Sequence, residues 1–218
     1  QAFAQPRDVI ADWTLESPGQ IGLMDVVKNA RPTVMIGVSG QAGAFSEAVV
    51  RTMAAQVERP VIFPLSNPTS HAEATPQQLA DWTEGRALVG AGSPFPEVEW
   101  NGQRRKADQT NNSYIFPGVG LGVIASGASR VTDAMFMAAA KALAGLSPAA
   151  LDKTAPLLPP VSDLRQVAIA VAIAVARQAQ ADGVAEPMDA AETEARIRAH
   201  VWEPRYRQYR KLTPMMGG

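Results

Sequence analysis

Pro32-Thr33-Val34-Met35-Ile36-Gly37-Val38-Ser39-Gly40-Gln41-Ala42-Gly43 is the stretch that decides the fold. Behind Pro32, Thr33 to Val38 form a short apolar run bounded by turn formers, the pattern of a buried strand. Ser39 to Gly43 make a glycine turn, and Val49, Val50, Met53, Ala54 and Val57 then recur at helical spacing. The unit repeats downstream. Pro60-Val61-Ile62-Phe63-Pro64-Leu65 reads as a second buried strand, closed by Ser66-Asn67-Pro68-Thr69-Ser70. Thr75-Pro76-Gln77-Gln78 starts a helix: threonine caps, proline suits the first turn, and Gln78 closes a capping box. That helix is expected to end near Gly85, ahead of a third strand at Ala87-Leu88-Val89-Gly90. Strands alternating with helices in this way predict an α/β fold whose parallel sheet is covered on both faces.

Further out the rhythm changes. Residues 1–19 read as a loop, followed by a short helix whose apolar face is Leu23, Val26 and Val27. Residues 93–112 read as a long ordered loop with a hairpin near Trp100-Asn101-Gly102, and loops of this length are often functional. Three or four helices are expected after it. Ser162 is expected to cap the longest, with Leu164, Val167, Ala168, Val171, Ala172 and Val175 as its apolar stripe and Gly183 at its end. The basic tail, with Arg205, Tyr206, Arg207, Tyr209, Arg210 and Lys211, reads as a solvated helix end, with a subunit contact as the alternative.

Composition narrows the function classes. The chain has 218 residues, 46% hydrophobic and 19% charged, which suits a folded protein with a sizeable core. A net charge of −1 gives no attraction for nucleic acid or an anionic membrane. There is no cysteine, so disulfides and thiolate chemistry are excluded, and two histidines alone disfavour a zinc site. No apolar run approaches the ~20 residues that span a bilayer. Gln1-Ala2-Phe3-Ala4-Gln5-Pro6-Arg7 lacks the order of a signal peptide, so a cytoplasmic location is expected. It also lacks an initiator methionine, which suggests a fragment or a processed product.

Three constellations could carry chemistry. Gly37-Val38-Ser39-Gly40-Gln41-Ala42-Gly43 permits close backbone approach to a ligand, and free N–H groups of the following helix would favour an anionic or polar one. Its G-x-x-G-x-x-G spacing is not the dinucleotide fingerprint, and an ordinary βα turn is the simpler reading of spacing alone. Asn67 lies at the predicted carboxyl end of a strand, where open α/β sheets bind ligands. Its amide suits a carboxamide, a hydroxyl or a carboxylate, though an Asx turn closing a strand would use the same residue. Gln109-Thr110-Asn111-Asn112-Ser113 could hold a carboxylate through neutral amides, while composition alone favours a polar loop with Asn caps. Gly118-Val119-Gly120-Leu121-Gly122 is read as close helix packing rather than a dinucleotide site, and His71 and His200 as structural or surface residues.

Four blocks in one order carry a resemblance. They are Ile36 to Gln41, Arg59 to Ser70, Trp82 to Arg86 with Gly92-Ser93-Pro94-Phe95, and Asn111-Asn112-Ser113-Tyr114-Ile115-Phe116-Pro117-Gly118. Together they resemble the C-terminal, cofactor-binding half of malic enzymes, especially the NAD-dependent bacterial branch. The resemblance implies the second half of a Rossmann-like, doubly wound parallel sheet followed by C-terminal helices. It divides the chain into a partial NAD(P)-binding domain over 1–145 and a helical extension over 146–218. It implies oxidative decarboxylation of (S)-malate to pyruvate and CO2, with NAD (or NADP) taking the hydride and Mg2+ or Mn2+ assisting, in a cytoplasmic homo-oligomer, a dimer or tetramer. Carried over by position, Val38, Ser39, Gly40 and Asn67 would bind the cofactor. Asn67, Asn111 and Asn112 would bind the substrate. The family's catalytic tyrosine and lysine, its acidic metal ligands and its G-x-G-x-x-G half have no counterpart here. The resemblance therefore assigns no catalytic and no metal-binding residue to this chain and predicts that it is inactive alone. Two alternatives are a non-catalytic binding or regulatory module of the same fold and the second Rossmann half of another hydroxy-acid dehydrogenase.

Overall fold

The computed structural model describes residues 6–152 and 155–206. The chain divides into two compact units, Gln1–Tyr114 with Leu143–Val167, and Ile115–Ala142 with Ala168–Gly218.

The first unit is an α/β, Rossmann-like layer. Its strands β1 (Val34–Gly37), β2 (Val61–Pro64) and β3 (Leu88–Ala91) fall where the apolar runs predict them. They are parallel and in sequence order, with Val34 opposite Val61 and Ile62 opposite Val89. Helices α1 (Leu23–Ala30), α2 (Glu47–Gln56) and α3 (Pro76–Trp82) connect and flank them. The Thr75 box forms as read: the Thr75 hydroxyl accepts from the Gln78 N–H and the Gln78 amide oxygen accepts from the Thr75 N–H at 2.9 Å.

Two expectations need correction. The span from 93 to 112 is more than a loop. Its hairpin, β4 (Val98–Trp100) with β5 (Gln103–Arg105), turns at Asn101 and Gly102, whose φ angles are 50° and 71°. Then β6 (Asp108–Gln109) adds a fourth parallel strand beside β3, pairing Gly90 with Asp108. Two residues are too short to show a strand period. The sheet is also not covered on both faces by these helices. Val27 of α1, Val49, Val50 and Met53 of α2 and Leu79 of α3 all pack with Met35 and Ile62 in one core. The opposite side chains Val34 and Ile36 stay 48% and 57% exposed. Right-handed crossovers place every connecting helix on the same face as long as strand order advances in one direction, and here it never reverses.

In the second unit, α4 (Phe116–Ser126), α7 (Ala190–His200) and the body of α6 (Leu164–Ala181) share a core of Ala125, Ile169, Ala172, Ala176 and Ile197. Two glycines of α4, Gly118 and Gly122, are there for packing, while Gly120 faces open space. A Cβ on Gly118 would sit 2.6 Å from Val171, and one on Gly122 would sit 2.7 Å from the Ala172 carbonyl oxygen. A further helix, α5, spans Asp133–Gly145. Ser162 does not cap α6. It sits inside a 3-10 turn, Val161–Asp163, and its hydroxyl donates to the Asp163 carboxylate at 2.9 Å. Gly183, at φ 67°, ends α6 as expected. Arg207, Tyr209, Arg210 and Lys211 lie outside the described residues. Among the described residues no helix is long and apolar enough to cross a membrane.

Candidate functional site

In a parallel sheet every strand ends at the same edge. Here the ladder runs on past the strands: Leu65 N–H donates to Gly37 O at 2.8 Å, Gly92 N–H to Pro64 O at 3.1 Å, and Thr110 N–H to Ala91 O at 2.8 Å. Four loops therefore leave side by side from the carboxyl edge. They carry Val38-Ser39-Gly40, Ser66-Asn67, Gly92-Ser93 and Thr110-Asn111-Asn112. The second and third loops press together so closely that a Cβ on Gly92 would lie 2.1 Å from the Leu65 carbonyl oxygen. Only glycine fits there.

Beneath the first two loops lies a residue with no role in the sequence reading. Glu73 is fully buried. Its Oε1 accepts from Ser39 N–H at 2.8 Å, from the Ser39 hydroxyl at 2.8 Å and from the Ser66 hydroxyl at 2.5 Å. Its Oε2 accepts from Ser66 N–H at 3.4 Å. Burial pushes the carboxyl pKa up, but the donors from Ser66 and Ser39 outweigh it and hold the group at about 2. The carboxylate is thus ionised at neutral pH. Gly37 is explained by the same group, because a Cβ there would fall 2.5 Å from the Glu73 carboxyl carbon.

The serines pass this anchoring on. Each hydroxyl gives its hydrogen to Glu73 and accepts with its oxygen: Ser66 Oγ from Gly40 N–H at 2.8 Å, Ser39 Oγ from Gln41 N–H at 3.2 Å. Gly43 N–H donates to Ala72 O, Ala44 N–H to Gln41 O and Phe45 N–H to Glu73 O. Helix α2 begins only at Glu47, capped by the Ser46 hydroxyl. The Ser39, Gly40 and Gln41 N–H groups of the turn are therefore used within the protein, and in the helix that follows Ser46 caps the Val49 N–H. The loop carrying Glu73 folds under the turn and takes its Ser39, Gly43 and Phe45 N–H groups, with a negative charge below. Anion-binding turns need the opposite arrangement. On the open side, His71 Nδ1 meets Gly40 O at 3.0 Å, so Nδ1 carries the hydrogen, because a carbonyl can only accept.

Each residue singled out from the sequence has a defined place. Val38 is 78% exposed, and Ser39 and Gly40 are exposed beside it. Gly40, at φ 68°, has open space where a Cβ would point. Asn67 is exposed and joined to this turn through its neighbour Ser66. Its Oδ1 accepts a short hydrogen bond from the Ser93 hydroxyl, and its Nδ2 donates to Leu65 O at 3.3 Å. These four residues are brought together. Asn111 and Asn112 are exposed at the same edge but leave from β6, two strand positions from β2, or ~10 Å across the sheet. Asn111 Oδ1 accepts from Ser113 N–H at 2.9 Å, the local cap that composition favours. Glu73, Ser66 and Ser93 were not legible as site residues. The usable signal was Ala72-Glu73-Ala74: a carboxylate between two small apolar residues, with serines two positions past one strand and two past the next.

Among the described residues no group of three or more His, Asp or Glu is placed to hold a metal ion. A family model described as the malic enzyme NAD-binding domain matches residues 1–180. The chain is 51% identical to an NAD-dependent malic enzyme of Sodalis glossinidius over 211 residues, 97% of this chain and 37% of that protein. It is 53% identical to the enzyme of that name in Edwardsiella ictaluri over 212 residues, again 97% and 37%. The chain thus spans about 37% of the length of these relatives. Its fold is similar to the crystal structure of malic enzyme from Pyrococcus horikoshii, with a TM-score of 0.61 at 24% identity over 82% of this chain and 37% of that one. The Entamoeba histolytica malic enzyme gives 0.65 at 23% identity over 84% and 34%.

Proposed function

The chain belongs to the malic enzyme NAD-binding domain family, and from that premise we propose that its carboxyl-edge loops form the nicotinamide end of an NAD site and one side of a malate site. The reaction is oxidative decarboxylation of (S)-malate to pyruvate and CO2. One observation carries the reading: the turn beside Asn67 has its Ser39, Gly40 and Gln41 N–H groups tied inward over a buried carboxylate. Such a turn repels a pyrophosphate and suits a flat ring that is cationic and bears its own donors.

Bound NAD would supply the acceptor for the hydride leaving malate. The residues of this chain bind and orient. Exposed Val38 offers an apolar surface for one ring face, and Gly40 lets the ring approach the backbone. Asn67, steadied by Ser93, presents an amide to a ribose hydroxyl, the cofactor carboxamide or the substrate. Asn111 and Asn112 hold a substrate carboxylate by neutral donors. No described residue set fits the divalent cation of the family. The proton-transfer groups likewise lie outside these 218 residues, and we expect the 218 residues alone to turn over no malate. We place the enzyme in the cytoplasm as a dimer or tetramer, in keeping with the exposed apolar Val34, Ile36 and Phe116.

The test is a steady-state assay of the full-length enzyme with malate, Mn2+ and either NAD or NADP. Asn67→Ala should raise KM for the dinucleotide and lower kcat, whereas Asn112→Ala should raise KM for malate and leave that for the dinucleotide unchanged. Unaltered constants in both variants would refute the assignment, and the dinucleotide series sets the NAD preference.

A further inference from the structure

Glu73 is a buried charge whose partners among the described residues are hydroxyls and amides rather than a cation. Among the described residues its charge meets no counter-ion and is offset by oriented dipoles. The face above it is open: Ser39 and Gly40 are exposed. In a low-dielectric setting such a charge acts on whatever occupies that face. Oxidised nicotinamide carries a positive ring, and reduced nicotinamide carries none.

Resting on the nicotinamide reading above, we propose that Glu73 is a positioning residue that sets the redox preference of the cofactor turn. Through Ser39 and Ser66 it fixes the turn's shape, and its charge makes the turn favour the cationic oxidised ring over the neutral reduced one. The same bias helps the reduced cofactor leave after hydride transfer. Shape and charge are separable. In Glu73→Gln an amide oxygen can replace Oε1, which takes three of the four donors, so the fold is expected to survive while the charge is lost. In Ser66→Ala the charge stays and the Gly40 anchor is lost.

The experiment is equilibrium titration of the full-length enzyme with NAD+ and with NADH. Glu73→Gln should weaken NAD+ binding at least about three-fold more than NADH binding, as expected for loss of one charge near a cationic ring. Ser66→Ala should weaken both by the same factor, and Glu73→Asp, which keeps the charge, should retain the wild-type ratio. Equal changes for both cofactors in Glu73→Gln, or a lost ratio in Glu73→Asp, would overturn the proposal. Hydrogen exchange of residues 38–41 in the wild-type enzyme separates the two levels. Protection by NAD+ with an unshifted ratio in Glu73→Gln sinks the role of Glu73 alone. No protection sinks the nicotinamide reading and this proposal with it.

Discussion

Glu73 links the stability of the protein to pH in a way that can be worked out. Its carboxyl ionises at about 2 in the folded chain, against 4.5 for an ordinary glutamate. The folded state holds the proton more weakly than the unfolded state, so the contribution is complete above pH 4.5 and is lost as pH falls towards 2. At neutral pH it amounts to at most about 3 kcal/mol. At pH 3 the unfolded carboxyl is protonated while the folded one is still mostly ionised, so about 2 kcal/mol of this has gone. Glu73→Gln cannot titrate. Urea unfolding of wild type and variant at a series of pH values should therefore show a stability gap that narrows by about 2 kcal/mol between pH 7 and pH 3. The other carboxylates titrate in both proteins and cancel. A gap that stays constant with pH, or widens in acid, would refute the idea that Ser39 and Ser66 hold an ionised Glu73.

Other outcomes follow from the packing. Gly37→Ala drives a Cβ to 2.5 Å from the Glu73 carboxyl carbon, whose side chain cannot swing away. It should cost about 1–3 kcal/mol in urea unfolding. Gly120→Ala, in an open stretch of α4, should instead stabilise by up to about 1 kcal/mol in the same assay. Thr75→Ala removes the α3 cap and should cost about 1 kcal/mol, visible as a lowered urea midpoint with an unchanged slope.

The three longer strands were legible because each is an apolar run fenced by proline or glycine, and α3 because its cap is written in four residues. Gly118 and Gly122 are packing positions, as expected, since bulk there meets α6, whereas Gly120 faces open space. What was not legible depends on partners distant in sequence. β6 exists because β3 offers an edge, and two residues carry no period of their own. Coverage on one face follows from strand order, which a list of elements does not contain. The candidate site divides the same way. Val38, Ser39, Gly40 and Asn67 could be named because they follow strand ends. Glu73 could not, since its burial is created by Ser39, 34 positions away, and by Gly37 making room.

This turn should meet a nicotinamide and not a phosphate. A crystal structure of the full-length enzyme with NAD and a dicarboxylate tests it most directly. The nicotinamide ring should lie against Val38 to Gly40, with the Asn67 amide within hydrogen-bonding distance of the cofactor or the diacid. A pyrophosphate seated on the N–H groups of Ser39 to Gln41, with Glu73 swung out of its pocket, would contradict it.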